Sequence, residues 1–308
     1  MKFALFIGCN IPVRVPQYEL SARTVLARLG IEIEDNPEFK CCGNPIRNID
    51  QNTFLLMAAR NLALAEKQGL DLMVLCMCCF GSLKKAAHVM RQLPSIREEM
   101  NGLLAKEGLH YSGKFAVKHL LSVLHHDLGI DALKEKCTKP FKTLKMATHY
   151  GCHALRPSDV TEFDNPVAPS IFDDLVTATG AKSVEWPLKL ECCGAPLLGV
   201  NDDLSVELTR KKFADGRRAG GEYLCVACPY CHMQFDKVRQ IMVSGQDTAP
   251  RMDSIVYPQL LGLAMGLERD ALGMTLDIKE EVVAEPPAKP KKTAGRTKAS
   301  ATDVQPQE

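Results

Sequence analysis

The stretches Cys41-Cys42-Gly43-Asn44-Pro45 and Cys192-Cys193-Gly194-Ala195-Pro196 decide the architecture, because they reveal that the chain contains a duplication. Each stretch follows a lone cysteine, Cys9 or Cys152, and precedes a C-x-x-C motif. The segments between these cysteines have similar lengths, 31 and 39 residues before the Cys pair and 33 and 34 residues after it. A repeat of this length predicts two similar units, related by a pseudo-twofold axis, rather than a solenoid.

The register of the C-x-x-C motif follows from the same comparison. In the first half only Cys76 and Cys79 have this spacing. In the second half Cys228 could pair with either Cys225 or Cys231, but only the Cys228/Cys231 pair preserves the matched gaps of 33 and 34 residues. The cysteines predicted to be thiols without metal are Cys78, Cys137 and Cys225.

The predicted elements have the order of an α/β fold. Short apolar runs that end at Gly-Cys indicate strands at Phe3–Ile7 and Met146–Tyr150. The other elements predicted within the two repeats are helices Tyr18–Leu29, Asn52–Gln68, Phe172–Thr179 and Leu204–Ala219 and strands Leu72–Leu75 and Tyr223–Val226. Because α/β folds place ligand-binding loops at the carboxyl ends of strands, the cysteines fall where a site is expected.

These patterns divide the chain into four segments. The first half is expected at 1–93 and the second at 141–276, with a helical connector at 94–140 that includes helices Ser95–Glu107 and Val117–Cys137. An apolar helix is expected at Gln259–Leu267. The tail, 277–308, is rich in Pro, Ala, Lys, Glu and Thr, a composition that predicts disorder.

The composition indicates a soluble cytoplasmic protein whose cysteines are metal ligands. The chain has 308 residues, 13 cysteines and a formal net charge of +1, which does not suggest a nucleic-acid groove or a polybasic membrane patch. About six apolar residues precede Asn10, fewer than the roughly 7–15 of a signal peptide. No run approaches the roughly 18 apolar residues of a membrane helix. In a reducing compartment, many cysteines indicate metal or redox chemistry rather than disulfides.

The adjacent cysteines favour an iron–sulfur cluster over a single metal ion. Thiolates are soft ligands that select iron–sulfur clusters, zinc or copper(I). The side chains of adjacent residues diverge, so both sulfurs of a Cys-Cys pair fit one tetrahedral ion poorly but can contact a larger cluster. Five cysteines in each half also exceed the four that a structural zinc ion takes. A zinc-stabilised scaffold remains an alternative that iron analysis would test.

The full pattern, C-x(31)-CC-x(33)-C-x2-C followed by C-x(39)-CC-x(34)-C-x2-C, resembles the CCG domain of the heterodisulfide reductase B-subunit family. The resemblance covers roughly residues 1–270 and includes Tyr150-Gly151-Cys152-His153 and Gln259-Leu260-Leu261-Gly262-Leu263-Ala264. It implies one noncubane [4Fe–4S] cluster in each half, the two clusters facing a disulfide that they cleave. The implied ligands are Cys9, Cys41, Cys42, Cys76 and Cys79, here called the first set, and Cys152, Cys192, Cys193, Cys228 and Cys231, the second set.

Two clusters suit disulfide reduction because the reaction takes two electrons, and a cluster normally passes one. His153 and His232 each follow a ligand cysteine and are candidate catalytic residues, which could donate a proton or a hydrogen bond to sulfur. A satisfied, partly buried histidine is the alternative for both. Arg47 could attract an anionic thiol substrate or be an ordinary surface charge.

The resemblance also implies partners. The expected function is that of the catalytic component of a heterodisulfide reductase-like complex, an oxidoreductase acting on sulfur groups. Electrons would pass between an iron–sulfur protein similar to the C subunit of such complexes, a flavin protein similar to their A subunit, and a disulfide or sulfur-carrier substrate. The chain has no G-x-G-x-x-G motif after a strand and no P-loop, so flavin and nucleotide would bind elsewhere. A non-catalytic electron-transfer or anchoring subunit of a succinate dehydrogenase-like complex is the alternative.

Overall fold

The computed structural model describes residues 1–278, so the tail predicted at 277–308 lies almost entirely outside the described residues. The first half contains β1 Lys2–Phe6, α1 Ile11–Arg14, α2 Pro16–Arg28, β2 Glu32–Glu34, α3 Gln51–Gln68, β3 Leu72–Val74, α4 Met77–Gln92, α5 Pro94–Leu104 and β4 Val117–His119. After it come α6 Leu120–Ser122, a π-helical segment Val123–Leu128 and α7 Ile130–Lys136. The second half contains β5 Lys145–His149, α8 Ser158–Thr161, α9 Ile171–Ala178, β6 Lys182–Ser183, α10 Asp202–Arg218, β7 Tyr223–Val226, α11 Pro229–Ser244, β8 Asp253–Val256 and α12 Tyr257–Ala264. Short 3₁₀ turns occupy Asn44–Ile46, Ala105–Glu107, Pro187–Leu190, Ala195–Leu197 and Asp270–Leu272.

Each half is built on a four-stranded parallel sheet. The strand orders, β2-β1-β3-β4 and β6-β5-β7-β8, are the same when the second half is laid on the first. Every neighbouring pair of strands is parallel. The predicted α/β class with two similar halves is therefore confirmed, and in each half the carboxyl ends of the four strands lie at the same edge of the sheet, where a site can form.

The long helices α3 and α10 form for the same local reasons in both halves. The carboxylate of Asp50 accepts a hydrogen bond from the backbone N–H of Thr53 at 3.0 Å, and the side chain of Asn201 accepts one from Leu204 at 3.1 Å. These side chains satisfy backbone donors that the first helical turn leaves free. The helix α3 ends at Gly69, which has a left-handed φ of 70°.

The segment Val117–Cys137 was predicted to be helical, and this prediction is wrong at its start. Residues Val117–His119 form β4, which pairs with β3 in the register Leu72↔Val117. A three-residue strand is too short to show a period, so only the neighbouring edge of the sheet reveals it. The helices α4 and α11, which begin at the C-x-x-C motifs, and the strand β8 were not predicted from the sequence.

The two halves pack against each other closely. The core residues of both form one continuous cluster of buried side chains. A Cβ placed on Gly81 of α4 would lie only 2.6 Å from the backbone oxygen of His153, so this position requires glycine. Lys84 and Glu162 form an ion pair across the same contact at 2.7 Å. We call the contact around Gly81 and His153 the seam.

Candidate metal centre

Both cysteine sets lie at the carboxyl ends of the strands. Cys9 and Cys152 follow β1 and β5, and Cys76 and Cys228 are the N-cap residues of α4 and α11. The N-terminus of each 16-residue helix carries a partial positive charge, which favours thiolate over thiol. The fold thus presents negative sulfur ligands where its own dipoles stabilise them.

Two cavities bring the predicted sets together. The first cavity has a volume of about 10 Å³, and the second, which lies in the seam, has a volume of about 350 Å³. Cys78 lines both cavities. The other cysteines lining the first are Cys9, Cys41, Cys42, Cys76 and Cys79, and those lining the second are Cys152, Cys192, Cys193, Cys228 and Cys231. Each predicted set is therefore gathered at one place.

The thiols within each set share protons. Hydrogen bonds from Cys41 and then Cys79 hold the pKa of Cys42 well below its ordinary value. Hydrogen bonds from Cys152 and Cys193 lower the pKa of Cys192 to about 2. In both sets one cysteine of the adjacent pair can therefore be a thiolate, which is the form that binds metal.

The two sets meet at the seam. The sulfur atoms of Cys76, Cys78 and Cys228 all lie within 4.8 Å of one another, although Cys228 belongs to the second set. The Sγ atoms of Cys78 and Cys228 are 3.9 Å apart. Cys78 was predicted to be a thiol without metal, and the structure places it between the two sites rather than in a remote core position.

The two candidate histidines have different surroundings. His153 Nδ1 lies 3.1 Å from Cys78 Sγ and lines the second cavity. His232 lies outside both cavity linings, and its two ring nitrogens contact Ser254 Oγ at 2.9 Å and Gln17 Nε2 at 3.2 Å. The structure therefore places His153 beside the cysteines. It places His232 between one hydrogen-bond partner from the first half, Gln17, and one from the second half, Ser254.

Cys137 and Cys225 lie apart from both sets. Burial raises the pKa of Cys137 to about 11, and its Sγ lies 3.4 Å from Leu133 O. Cys225 is fully buried within β7, where it pairs with Thr148 and Ile255 on the neighbouring strands. Neither residue lines either of the two cavities.

Two basic residues beside the second set were not singled out from the sequence. His149 is 2% exposed, and a ring nitrogen of it lies within 4.8 Å of both Cys193 Sγ and Cys231 Sγ. Lys212 is also 2% exposed, and its ammonium donates to Leu188 O and lies 5.3 Å from the centre of the Trp186 ring. An alignment of the two halves is the sequence signal that could have identified them, because His149 aligns with Phe6 and Lys212 aligns with Asn61, and both first-half residues are uncharged.

The residues present fit a thiolate-bound group. Each set offers five soft sulfur donors, and soft donors select iron–sulfur clusters, zinc or copper(I). The second set surrounds space for such a group, whereas the thiols around the first cavity of about 10 Å³ would have to move apart to admit one. Both ring nitrogens of His149 are buried without a hydrogen-bond partner among residues 1–278. A buried polar atom without a partner is costly, and a sulfur acceptor in the second set would satisfy it.

Comparison with known proteins identifies the family. The profile of the cysteine-rich CCG domain matches residues 3–84 and again residues 146–236. The chain is 37% identical to the B subunit of the ferredoxin/F(420)H(2)-dependent CoB-CoM heterodisulfide reductase of Methanosarcina acetivorans, over 89% of this chain and 92% of that protein. The chain belongs to the heterodisulfide reductase B-subunit family. The resemblance inferred from the cysteine pattern is confirmed, and the family consists of oxidoreductase subunits.

Two further similarities bear on the fold and the range of the family. The 8-methylmenaquinol:fumarate reductase membrane anchor subunit of Wolinella succinogenes is 29% identical over 90% of this chain and 96% of that protein. A crystal structure of a hypothetical protein from Helicobacter pylori superposes with a TM-score of 0.65 at 21% identity, and shows the fold alone. It covers 88% of this chain, which spans 50% of that protein. Within residues 1–278, none of the helices combines the length and the apolar character needed to cross a membrane.

Proposed function

We propose that this chain is the disulfide-handling component of a heterodisulfide reductase-like complex, and that each cysteine set binds one [4Fe–4S] cluster of the noncubane type. The observation that carries the proposal is the approach of the two sets to each other at the seam, between two cavities that share Cys78. Cys78 Sγ lies 3.9 Å from Cys228 Sγ, and its neighbour Cys76 belongs to the first set. A substrate bound in the seam would lie close to both sets.

The reaction needs two electrons and two protons for each disulfide that becomes two thiols. The clusters, when bound, supply one-electron transfers that no side chain of the protein can perform. The chain supplies the ligands, the cavity and the proton path. This division explains why ten cysteines are gathered in two sets rather than arranged as an attacking dithiol.

The second cavity has the properties of a small-molecule site. Its volume of about 350 Å³, which the second cluster and a bound substrate would share, lies at the lower end of the roughly 300–1,000 Å³ typical of ligand pockets. Arg47 and His153 line it together with Tyr230. In the proposal, Arg47 attracts an anionic substrate. The proton shared by His153 Nδ1 and Cys78 Sγ passes to one of the two product thiolates, and solvent supplies the second proton.

The proposed partners follow from the relatives, which are named as subunits of larger enzymes. An iron–sulfur protein similar to the C subunit and a flavin protein similar to the A subunit of heterodisulfide reductases would exchange electrons with this chain. The physiological substrate in the proposal is a low-molecular-weight disulfide or a sulfur-carrier protein. The reaction is reversible in principle, so the same site could oxidise thiols.

Removal of one ligand from each set tests the proposal. C42A and C193A change equivalent cysteines, and each is expected to reduce the iron content to about half of that of the parent chain, because one of two clusters is lost. Reduction of the CoB–CoM heterodisulfide, or of simple symmetrical disulfides, by reduced viologen should fall to background in both variants. Purification and reconstitution are anaerobic, and C137A serves as the control because Cys137 lies outside both cavity linings. Full turnover in C193A would contradict the proposal.

A second candidate function has one observation in its favour, the 29% identity to a fumarate reductase membrane anchor subunit. In that case the chain would pass electrons within a respiratory complex without handling a disulfide. The iron-loaded chain would then show no turnover with any disulfide tested. It would instead restore quinol oxidation when combined with its partner subunits.

A further inference from the structure

The two cysteine sets have unequal electrostatic surroundings, although their cysteine patterns match. The residues lining the first cavity include no Lys, Arg or His within the part of the chain that the structure describes. The second cavity is lined by Arg47 and His153. Behind the second set lie two further basic residues, His149 and Lys212, which line neither cavity.

Lys212 places a buried positive charge near the second set, because its ammonium lies 5.3 Å from the centre of the Trp186 ring, and that ring lies 6.4 Å from the ring of His149. This lysine is 2% exposed, and no carboxylate forms an ion pair with it among residues 1–278. Burial lowers the pKa of Lys212 to about 8, against the opposing influence of Cys193 and Cys231, so the ammonium is still mostly charged at neutral pH. An ammonium has three donors, and the described residues give this one a single acceptor, Leu188 O. Because the site is shielded from water, this charge acts on the second set with little screening.

His149 adds an unpaired hydrogen-bond donor on the same side. Both of its nitrogens lack a partner within the described chain, and Cys193 Sγ and Cys231 Sγ are within 4.8 Å. At least one imidazole nitrogen carries a hydrogen in either protonation state, so a donor to sulfur is always present. Hydrogen bonds to cluster sulfurs and nearby positive charge both raise a reduction potential.

The equivalent positions in the first half lack these features. Phe6 stands where the second half has His149, and its ring packs against Phe39 at 5.4 Å. Asn61 stands where the second half has Lys212, and its amide bonds the backbone oxygens of Cys41 and Met57. A neutral amide engaged with the backbone does not compensate the negative charge of thiolates.

We propose that Lys212 and His149 give the second cysteine set the higher reduction potential, so that an electron entering the protein moves from the first set to the second. The proposal rests on the proposed function, because it requires that both sets hold clusters. It assigns unequal roles to the sets: the first receives electrons from the electron-donating partner protein, and the second holds the electron next to the substrate cavity.

The test is an anaerobic potentiometric titration of the full chain, followed by EPR and absorbance. The single-site variants C42A and C193A assign each reduction wave to one set. The expected result for the parent chain is a higher potential for the second set. K212N, which installs the residue of the first half, should lower the equilibrium constant for one-electron reduction of the second set about tenfold, a shift of about 59 mV. The wave of the first set should move much less.

Matched variants separate this effect from a general change of charge. Lys211 is the exposed neighbour of Lys212 on α10, so K211N removes the same charge where water screens it, and the potential should not change. H149F removes the donor and copies the first half, whereas H149Q keeps a donor, so only H149F should lower the potential.

The outcomes distinguish the inference from the proposed function. Equal shifts in K212N and K211N, or a parent chain whose first set has the higher potential, would overturn the inference while leaving the proposed function standing. If K212N loses the second cluster, the H149F and H149Q pair gives the same comparison. Absence of iron from both sets of the parent chain would instead contradict the proposed function.

Discussion

The two halves of this protein share their backbone and their cysteines but differ in the residues beside them. Both have the same parallel strand order and the same five-cysteine pattern. Around the second set the chain has His149, His153 and Lys212, where the first half has Phe6, Asn10 and Asn61. The duplicated positions therefore build two similar arrangements of five cysteines, and the positions that differ between the halves make the surroundings of these cysteines chemically different.

This difference suggests substitutions that exchange equivalent residues between the halves. The largest effect on turnover is expected at His153. H153N installs the residue of the first half and replaces the imidazole, whose Nδ1 lies 3.1 Å from Cys78 Sγ, with an amide that cannot act as an acid. Loss of a positioned proton donor typically costs about 100-fold in rate. We therefore expect turnover with a disulfide to fall about 100-fold while iron content is retained.

The control for His153 is the second histidine that follows a ligand cysteine. H232F copies Phe80 of the first half and removes contacts to Ser254 and Gln17. It should lower the free energy of unfolding by about 2 kcal/mol, about 1 kcal/mol for each of the two hydrogen bonds, and leave turnover of the folded fraction nearly unchanged. Equal losses of turnover in H153N and H232F would show that the seam position of His153 has no special role.

A smaller effect, on the pH dependence of stability, is expected from His119. This residue ends the fourth strand of the first half, and the equivalent residue of the second half is Val256. Burial lowers the pKa of His119 to about 4, from an ordinary value near 6.5. Between these pH values the unfolded chain binds more protons than the folded chain, so stability falls as the pH falls. From pH 7 to pH 5 this single group should cost about 2 kcal/mol.

H119V tests that contribution. The substitution leaves Leu75 O and the N–H of Leu121 without their imidazole partner, so it should cost about 1–3 kcal/mol at pH 7. Its stability should then fall less steeply on acidification than that of the parent chain. Urea unfolding of the metal-free chain at pH 7 and pH 5 measures both slopes. If the free energy of unfolding of H119V and that of the parent chain fall equally between pH 7 and pH 5, a group other than His119 dominates the pH dependence.

The smallest difference is expected in iron retention when alanine replaces each of two equivalent glycines. Gly8 and Gly151 both have left-handed φ values, 68° and 72°, so alanine at either position costs about 1–2 kcal/mol. A Cβ on Gly8 would also lie 2.9 Å from Cys79 Sγ, whereas one on Gly151 would lie 3.7 Å from Cys231 Sγ. G8A should therefore reduce iron retention in its own set more than G151A does.

Gly30 provides the control for these variants. Its φ is 71°, and a Cβ there would meet no atom within 4 Å, so G30A shows the conformational cost alone. Unfolding free energies and iron content of the three variants give the comparison. If G8A and G30A behave alike, contact with Cys79 has no measurable cost.

Much of the fold and of the cysteine sets could be predicted from the sequence, because both follow from spacing along the chain. Strands that end at Gly-Cys were predicted to within a residue or two, since an apolar run before a cysteine is a local signal. The strand Val117–His119 was missed because three residues carry no period. The start of α4 at Met77 was missed because Met-Cys-Cys carries no N-terminal signal of its own.

The surroundings of the sets could not be predicted because they depend on packing between distant segments. The position of Cys78 is decided by α11 of the other half, which brings Cys228 within 3.9 Å. His149 is an ordinary strand residue in the sequence, and its importance comes from the loop that places Cys193 beside it and from the first turn of α11, which contains Cys231. The spacing of the cysteines along the chain therefore predicted which cysteines lie together. The packing of distant segments determines which other residues lie beside them.

The burial of the ligands beneath the seam has a consequence for how the protein matures. Cys76, Cys79, Cys228 and Cys231 are 2%, 5%, 4% and 8% exposed. Other cysteines of each set are less buried: Cys9 is exposed, and Cys41, Cys152 and Cys192 are partly exposed. If each set binds a cluster as proposed, iron and sulfide would reach it from the side of these accessible sulfurs, and the buried sulfurs would hold its inner face away from water.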